Sequence, residues 1–374
     1  MKTHALLFAL LTGCAAPAGP ASRAFDTVPE APVPEFVFEW DAQVDQIDFF
    51  GVQPVQLATP GHLSTSDELV VGTARGDVVK FQAANGNPLW RAHVDGPVAT
   101  KPTSGSGNVF VGTARGELVA LDVHSGQKTW EARLLSSVDS PATEADGRVF
   151  VVDAADSLYA FDALTGEALW AFQAPTPEYF TVEGSPRPVV ADGEVYVGAS
   201  DGVLRAFEQE TGELIWSVEL RGDADEFTDI DREVVVEKDV IYAASYSGGL
   251  YAVDRMSGEI LWRHPATGLQ DFAVYEGMVY ATSATGRAFA VFAEDGAPAW
   301  GFRFQNVVPS SFTVYGPYLL VTTNGPIYVL DRRTGYPLRK MLGVHGISSE
   351  IEFGADRAYM LSDRGRLTTF KLGW

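Results

Sequence analysis

The sequence predicts an all-β chain folded as an eight-bladed β-propeller of four-stranded antiparallel blades. Three observations predict it: a repeat of about 40 residues, a tryptophan that recurs at the end of the copies, and glycines at two fixed turn positions. A four-stranded unit that is apolar on both faces cannot bury them alone, and radial stacking of such units is the propeller solution.

The copies are read directly. Residues 69–90 (LVVGTARGDVVKFQAANGNPLW) and 109–130 (VFVGTARGELVALDVHSGQKTW) are followed by copies at 149–170, 195–216, 241–262 and 279–300. A weaker copy at 319–340 lacks the tryptophan, and a last one runs from 358 to 374. Each reads as two alternating apolar runs joined by a turn, then a second turn into a third run. Gly76, Gly116, Gly202 and Gly248 mark the first turn, expected to be a two-residue hairpin needing positive φ. Gly86, Gly126, Gly166, Gly212, Gly258, Gly296 and Gly335 mark the second. A short strand upstream of each copy, such as Arg187-Pro188-Val189-Val190, makes the fourth.

Trp40, Trp90, Trp130, Trp170, Trp216, Trp262 and Trp300 recur at intervals of 50, 40, 40, 46, 46 and 38 residues, and Arg339 takes the next slot. An indole at one place in every outer strand is expected to pack between adjacent blades. The last copy stops before a fourth strand of its own. Trp40-Asp41-Ala42-Gln43-Val44-Asp45 matches Trp90-Arg91-Ala92-His93-Val94-Asp95, so residues 35–45 are expected to complete the last blade and leave no open edge.

The N-terminus reads differently. Met1-Lys2, an apolar Ala5 to Leu11, and Leu11-Thr12-Gly13-Cys14 resemble the lipobox of bacterial lipoproteins. That resemblance implies a signal peptide over 1–13 and a lipid on Cys14, the single cysteine. Ala15 then points to the outer membrane, by resemblance to lipoprotein sorting. Residues 14–34 are rich in Ala and Pro and read as an extended tether. Residues 35–374 are the propeller.

Composition narrows the function. The 49 acidic against 27 basic residues repel phosphate backbones, which argues against nucleic-acid binding. No apolar run approaches the length of a membrane-spanning helix, and the six histidines show no metal-ligand spacing. No nucleophile elbow, zinc-protease motif or phosphate loop is present. The chain is read as no enzyme, with no cofactor.

The pattern Ala-x-Asp-x-x-Thr-Gly-x-x-x-Trp resembles the repeat of pyrroloquinoline-quinone (PQQ) dehydrogenases. Asp122, Asp162, Asp254 and Asp331 keep the acid, Glu208 substitutes for it, and Gln82 and Phe292 depart. Those enzymes are much longer and place a vicinal disulfide and calcium-binding carboxylates over the cofactor, whereas this chain has a single cysteine, so quinone chemistry is not expected. A lipidated stand-alone propeller of this size resembles instead the outer-membrane assembly factor BamB family, most sharply at Phe227-Thr228-Asp229-Ile230-Asp231. That resemblance implies an Asp-x-Asp pair, Asp229 and Asp231, on a loop that contacts the periplasmic domains of the barrel-inserting subunit BamA. The companion segment is Tyr179-Phe180-Thr181-Val182, with Val182 where the family has Arg. It also implies a monomer within a complex at the periplasmic face of the outer membrane, and a rigid ring offering loops and sheet edges gives nascent outer-membrane strands a route for β-augmentation.

Physically, residues 223–231 present five carboxylates around one aromatic. Three readings stand: a solvated loop, a surface for a basic partner, or a metal site, although the EF-hand pattern fails. Two functions follow. One is a non-enzymatic scaffold of β-barrel assembly. The other is a lipoprotein whose propeller binds a small ligand or polysaccharide, which exposed aromatics around the axis would favour.

Overall fold

The structure, a computed structural model, describes residues 35–44, 59–64, 66–98, 100–174, 186–222, 227–230, 232–341, 351–354, 356–362 and 364–373. The predicted signal peptide, Cys14 and the tether lie outside the described residues.

Eight four-stranded antiparallel sheets follow one another around a ring. Blade 1 comprises Gly61–Leu63, Glu68–Gly72, Asp77–Gln82 and Pro88–His93. Blades 2 to 7 repeat that order over 103–133, 143–172, 189–219, 235–264, 269–303 and 309–341. Blade 8 is composite. Glu352–Phe353, Arg357–Leu361 and Arg366–Gly373 come from the C-terminus, and Glu35–Gln43 adds the outer strand. That strand pairs from Glu35↔Gly373 to Gln43↔Arg366, with a bulge between Phe38 and Trp40. The Arg366 guanidinium donates to Asp41 at 2.7 Å and Arg357 to Glu39 at 2.7 Å, so the closing strand is held by side chains as well. Lys101, leading into blade 2, pairs with Glu352 of blade 8 at 2.5 Å across the closure.

Adjacent first strands touch: Thr143 donates to the Pro188 carbonyl at 2.5 Å, and Thr313 to the Ile351 carbonyl at 3.1 Å. First strands therefore face the axis, and fourth strands form the rim. The core lies between blades rather than within one. Val70 and Val78 of blade 1 pack with Val109, Val111, Val119 and Leu121 of blade 2. The opposite side chains, Leu69, Val71, Val79 and Phe81, pack with Tyr359, Leu361 and Leu367 of blade 8. Strand alternation thus gives each blade one apolar face per neighbour. Each fully buried aliphatic side chain contributes about 1.5–3 kcal/mol.

The tryptophans are the second inter-blade device, as expected. Trp130 donates its indole N–H to the Ala163 carbonyl of the next blade at 3.1 Å. Trp40, Trp90, Trp170, Trp216, Trp262 and Trp300 do the same to Ala83, Val123, Gln209, Arg255, Ala293 and Arg332. Each acceptor sits in the turn between strands three and four. The glycine of that turn must be bare: at Gly166, φ is +72° and a Cβ would fall 2.6 Å from the Trp130 ring. Asp122 shapes its own turn by accepting from the amides of His124 and Ser125, at 3.2 and 2.7 Å.

The first hairpins differ from the expected two-residue turns. Thr73 N–H donates to the Asp77 carbonyl and Gly76 N–H to the Thr73 carbonyl, which leaves a three-residue loop ending in a left-handed glycine. In blade 5 the loop also has three residues, but the positive φ belongs to Gly249 rather than Gly248, whose amide donates to the Ser245 hydroxyl instead of its carbonyl.

Candidate partner-binding face

Antiparallel order puts the strand two–three hairpins and the blade-to-blade connections on one face of the ring. Each connection is built in the same way. In blade 1, Val94 N–H donates to the Gly76 carbonyl and Val98 N–H to the Thr73 carbonyl. Val98 then plugs the blade with 1% exposure. Gly72 must lack a side chain there, since a Cβ would meet Val98 at 2.2 Å. Val138 over Gly112 and Ile230 over Gly198 repeat the plug. The carbonyl just before the plug accepts from the next blade's hairpin: Pro97 from Ala114, Ser137 from Ala154, and Asp229 from Tyr246.

This register places Asp229. It stands where Pro97 and Ser137 stand, one residue before the plug, and is 1% exposed. The sequence reading put its carboxylate on the surface, but Asp229 is buried, unlike Pro97, which is exposed at the equivalent place. Among the described residues of that loop Phe227 is the exposed side chain, 41% accessible, with φ +56° and a carbonyl that accepts from Ser247 N–H at 3.1 Å. Asp231, Tyr179, Phe180 and Val182 lie outside the described residues. Four residues separate His93 from Val98, and four separate Arg133 from Val138, whereas ten separate Glu219 from Ile230. The extra residues include Asp223, Asp225 and Glu226.

At the blade 3–blade 4 junction the staple changes. Ser200 N–H, the equivalent of Ala114 and Ala154, donates to the Asp156 carboxylate at 3.2 Å, and the Ser200 hydroxyl also bonds it. Asp156 sits at φ +57°, in the hairpin place that glycine fills in blades 1 and 2. Burial pushes its carboxyl above the usual range, against the pull of the Ser200 bonds. The connection that follows, 173–188, contains Tyr179 and Phe180.

Neither alternative site is supported by side-chain placement. No group of His, Cys, Asp and Glu among the described residues could hold a metal ion. On the innermost strands Phe272 and Phe312 are buried, Tyr315 stacks on Phe353 at 5.0 Å, and Arg332 lies 4.4 Å from the Tyr275 ring. No ring of exposed aromatics surrounds the axis among the described residues.

A separate cleft of about 540 Å³ opens at the rim between blades 5 and 6, against His264, Arg287, Phe289 and Gly301. Sequence reading missed it. The signal was Gly301, which interrupts a position filled by Arg91, Glu131, Arg263 and Lys340 in other blades.

A family model described as outer membrane protein assembly factor BamB matches residues 40–111 and 74–302, more than half of the chain. The chain belongs to the BamB family. Among solved structures it is similar to BamB from Moraxella catarrhalis, with 21% identity, a TM-score of 0.78, and coverage of 90% of this chain and 100% of that one. It is also similar to the computationally designed Ika8 protein, at 17% identity and TM-score 0.71, covering 86% of this chain and 97% of that one. The quinohemoprotein alcohol dehydrogenase of Comamonas testosteroni has 13% identity and TM-score 0.71, covering 90% of this chain and 76% of that one. At these identities the structural likenesses establish the propeller alone. No curated protein matches the chain in sequence. The blade 3–blade 4 and blade 4–blade 5 connections, 173–188 and 220–234, are both longer than those after blades 1 and 2.

Proposed function

We propose that this chain is a non-enzymatic scaffold subunit of the outer-membrane β-barrel assembly machinery, anchored at the periplasmic face of the outer membrane by a lipid on Cys14. The observation that carries the reading is the BamB family match over a closed ring whose long loop projects an aromatic. A staple that fixes Asp229 and Ile230 leaves the six-residue excess of that loop to meet a partner. Phe227, Asp231, Tyr179 and Phe180 are the proposed contacts with the periplasmic domains of the barrel-inserting subunit. Asp229 is a positioning residue, because its carboxylate is buried. Exposed aromatics rimmed by charge are the common anchors of such interfaces.

The test uses Phe227→Asn, which removes the ring and keeps a residue that tolerates positive φ. Association of the full-length lipoprotein with the barrel-inserting subunit should weaken by roughly tenfold or more, at unchanged thermal stability. Asp231→Lys should weaken it as well. Wild-type affinity in both variants would remove this loop from the interface.

A further inference from the structure

Blade 6 departs from the other blades at two cross-strand pairs on one side of its sheet. At the first, Asp77 faces His93 in blade 1, Glu117 faces Arg133 in blade 2, and Ile327 faces Met341 in blade 7. In blade 6, Arg287 faces Arg303. Like charges directly opposite repel. Both arginines are exposed, and neither has a carboxylate partner among the described residues, in a chain of net charge −22. At the second pair, blades 5 and 7 cover an aromatic with a cation: Arg263 lies 6.0 Å from the Tyr251 ring, and Lys340 lies 5.4 Å from that of Tyr328. Blade 6 pairs Phe289 with Gly301, and a Cβ on Gly301 would meet nothing within 4 Å. One flank of Phe289 is therefore left without a cover.

Arg287, Phe289 and Gly301 line one rim cleft, with Arg303 opposite Arg287 beside it, and its volume of about 540 Å³ lies in the range of small-molecule sites. Its far wall is ordered. His264 packs on Phe289 with ring centroids 5.6 Å apart, and its Nδ1–H donates to the Gly296 carbonyl at 3.0 Å. Desolvation holds this imidazole below its ordinary pKa, so Nε2 is left as an acceptor.

We propose that the blade 5–blade 6 cleft binds an aromatic carboxylate, its ring in the space Gly301 leaves beside Phe289 and its carboxylate on Arg287, with Arg303 adding charge. A guanidinium and a carboxylate form the strong, charge-assisted pairing that two unpartnered arginines lack here. The same chemistry is offered by a free aryl carboxylate and by the C-terminal aromatic residue of a polypeptide.

The test is calorimetric titration of the full-length protein with 3-phenylpropionate, with 3-phenyl-1-propanol as its uncharged counterpart, and with N-acetyl-diglycyl-phenylalanine. Saturable binding of 3-phenylpropionate is expected, with a loss of about tenfold or more for the alcohol and for Arg287→Gln. Gly301→Arg, which supplies the cover found in blade 5, should abolish binding at an unchanged unfolding temperature. Tighter binding of the peptide assigns the site to polypeptide ends, and equal or weaker binding assigns it to free carboxylates. No saturation by either acid into the millimolar range, or wild-type affinity in Gly301→Arg, would overturn the proposal.

Discussion

Single residues hold the ring through contacts that cross from blade to blade. The indole of Trp130 needs both an acceptor at Ala163 and a bare Gly166 beneath it. Gly166→Ala adds a methyl 2.6 Å from that ring at φ +72°, whereas Gly147→Ala adds one at φ +75° with nothing within 4 Å. The second change isolates the backbone cost of about 1–2 kcal/mol, and the first should exceed it by about 1–3 kcal/mol of overpacking. Urea unfolding of the two variants checks this, and equal losses would deny the tryptophan its packing role. Anchor and contact also separate at this scale. Ile230→Ala should cost about 2–5 kcal/mol by emptying the plug over Gly198, while Phe227→Asn should leave stability near wild type. The sequence showed carboxylates around Asp229 but not which of them points inward. Its backbone is fixed by the hairpin of the next blade, whose Tyr246 amide lies 17 positions away, and its burial depends on contacts that are not local in sequence.

At the scale of the turn and the strand, the repeat was legible because its chemistry is local. Asp122, Asp162 and Asp254 are each held below the usual carboxylate range by hydrogen bonds from the hydroxyl and amide two or three residues on. An acid whose folded pKa is depressed stabilises above its unfolded value of roughly 3.9 and loses that contribution as pH falls through the folded value. The unfolding temperature should therefore drop on acidification below about pH 4. The triple variant Asp122→Asn, Asp162→Asn, Asp254→Asn should show a shallower drop, and an identical slope would refute the assignment. Asp156 carries the opposite sign, because burial raises its carboxyl, so its contribution declines as pH rises. What the repeat did not disclose was the three-residue length of the first hairpins, since a glycine before a strand fits two-residue and three-residue loops alike. The rim cleft was equally hidden, because Gly301 and the Arg287–Arg303 pair become meaningful only when strands three and four are set in register.

For the whole molecule, one fact accounts for two sequence anomalies. The outer strand of blade 8 is Glu35–Gln43, so no turn joins strands three and four of that blade to accept an indole from blade 7. Arg339 accordingly replaces tryptophan there, while Trp40 reappears on the strand that closes the ring and donates to Ala83 of blade 1 at 3.0 Å. The blade count and the closing strand were readable for this reason. Deleting residues 35–43 should open an edge along 366–373, lower the unfolding temperature and produce oligomers by light scattering. A monomer of unchanged stability would contradict the closure account. A closed ring with long connections on one face suits the proposed scaffold, and that reading is tested most directly by what the protein is bound to. Gentle detergent extraction of the full-length protein, followed by affinity isolation and identification of what remains bound, is predicted to recover the barrel-inserting subunit in stoichiometric amount. Isolation of the propeller without it, under conditions that keep the rest of that machinery assembled, would contradict the account.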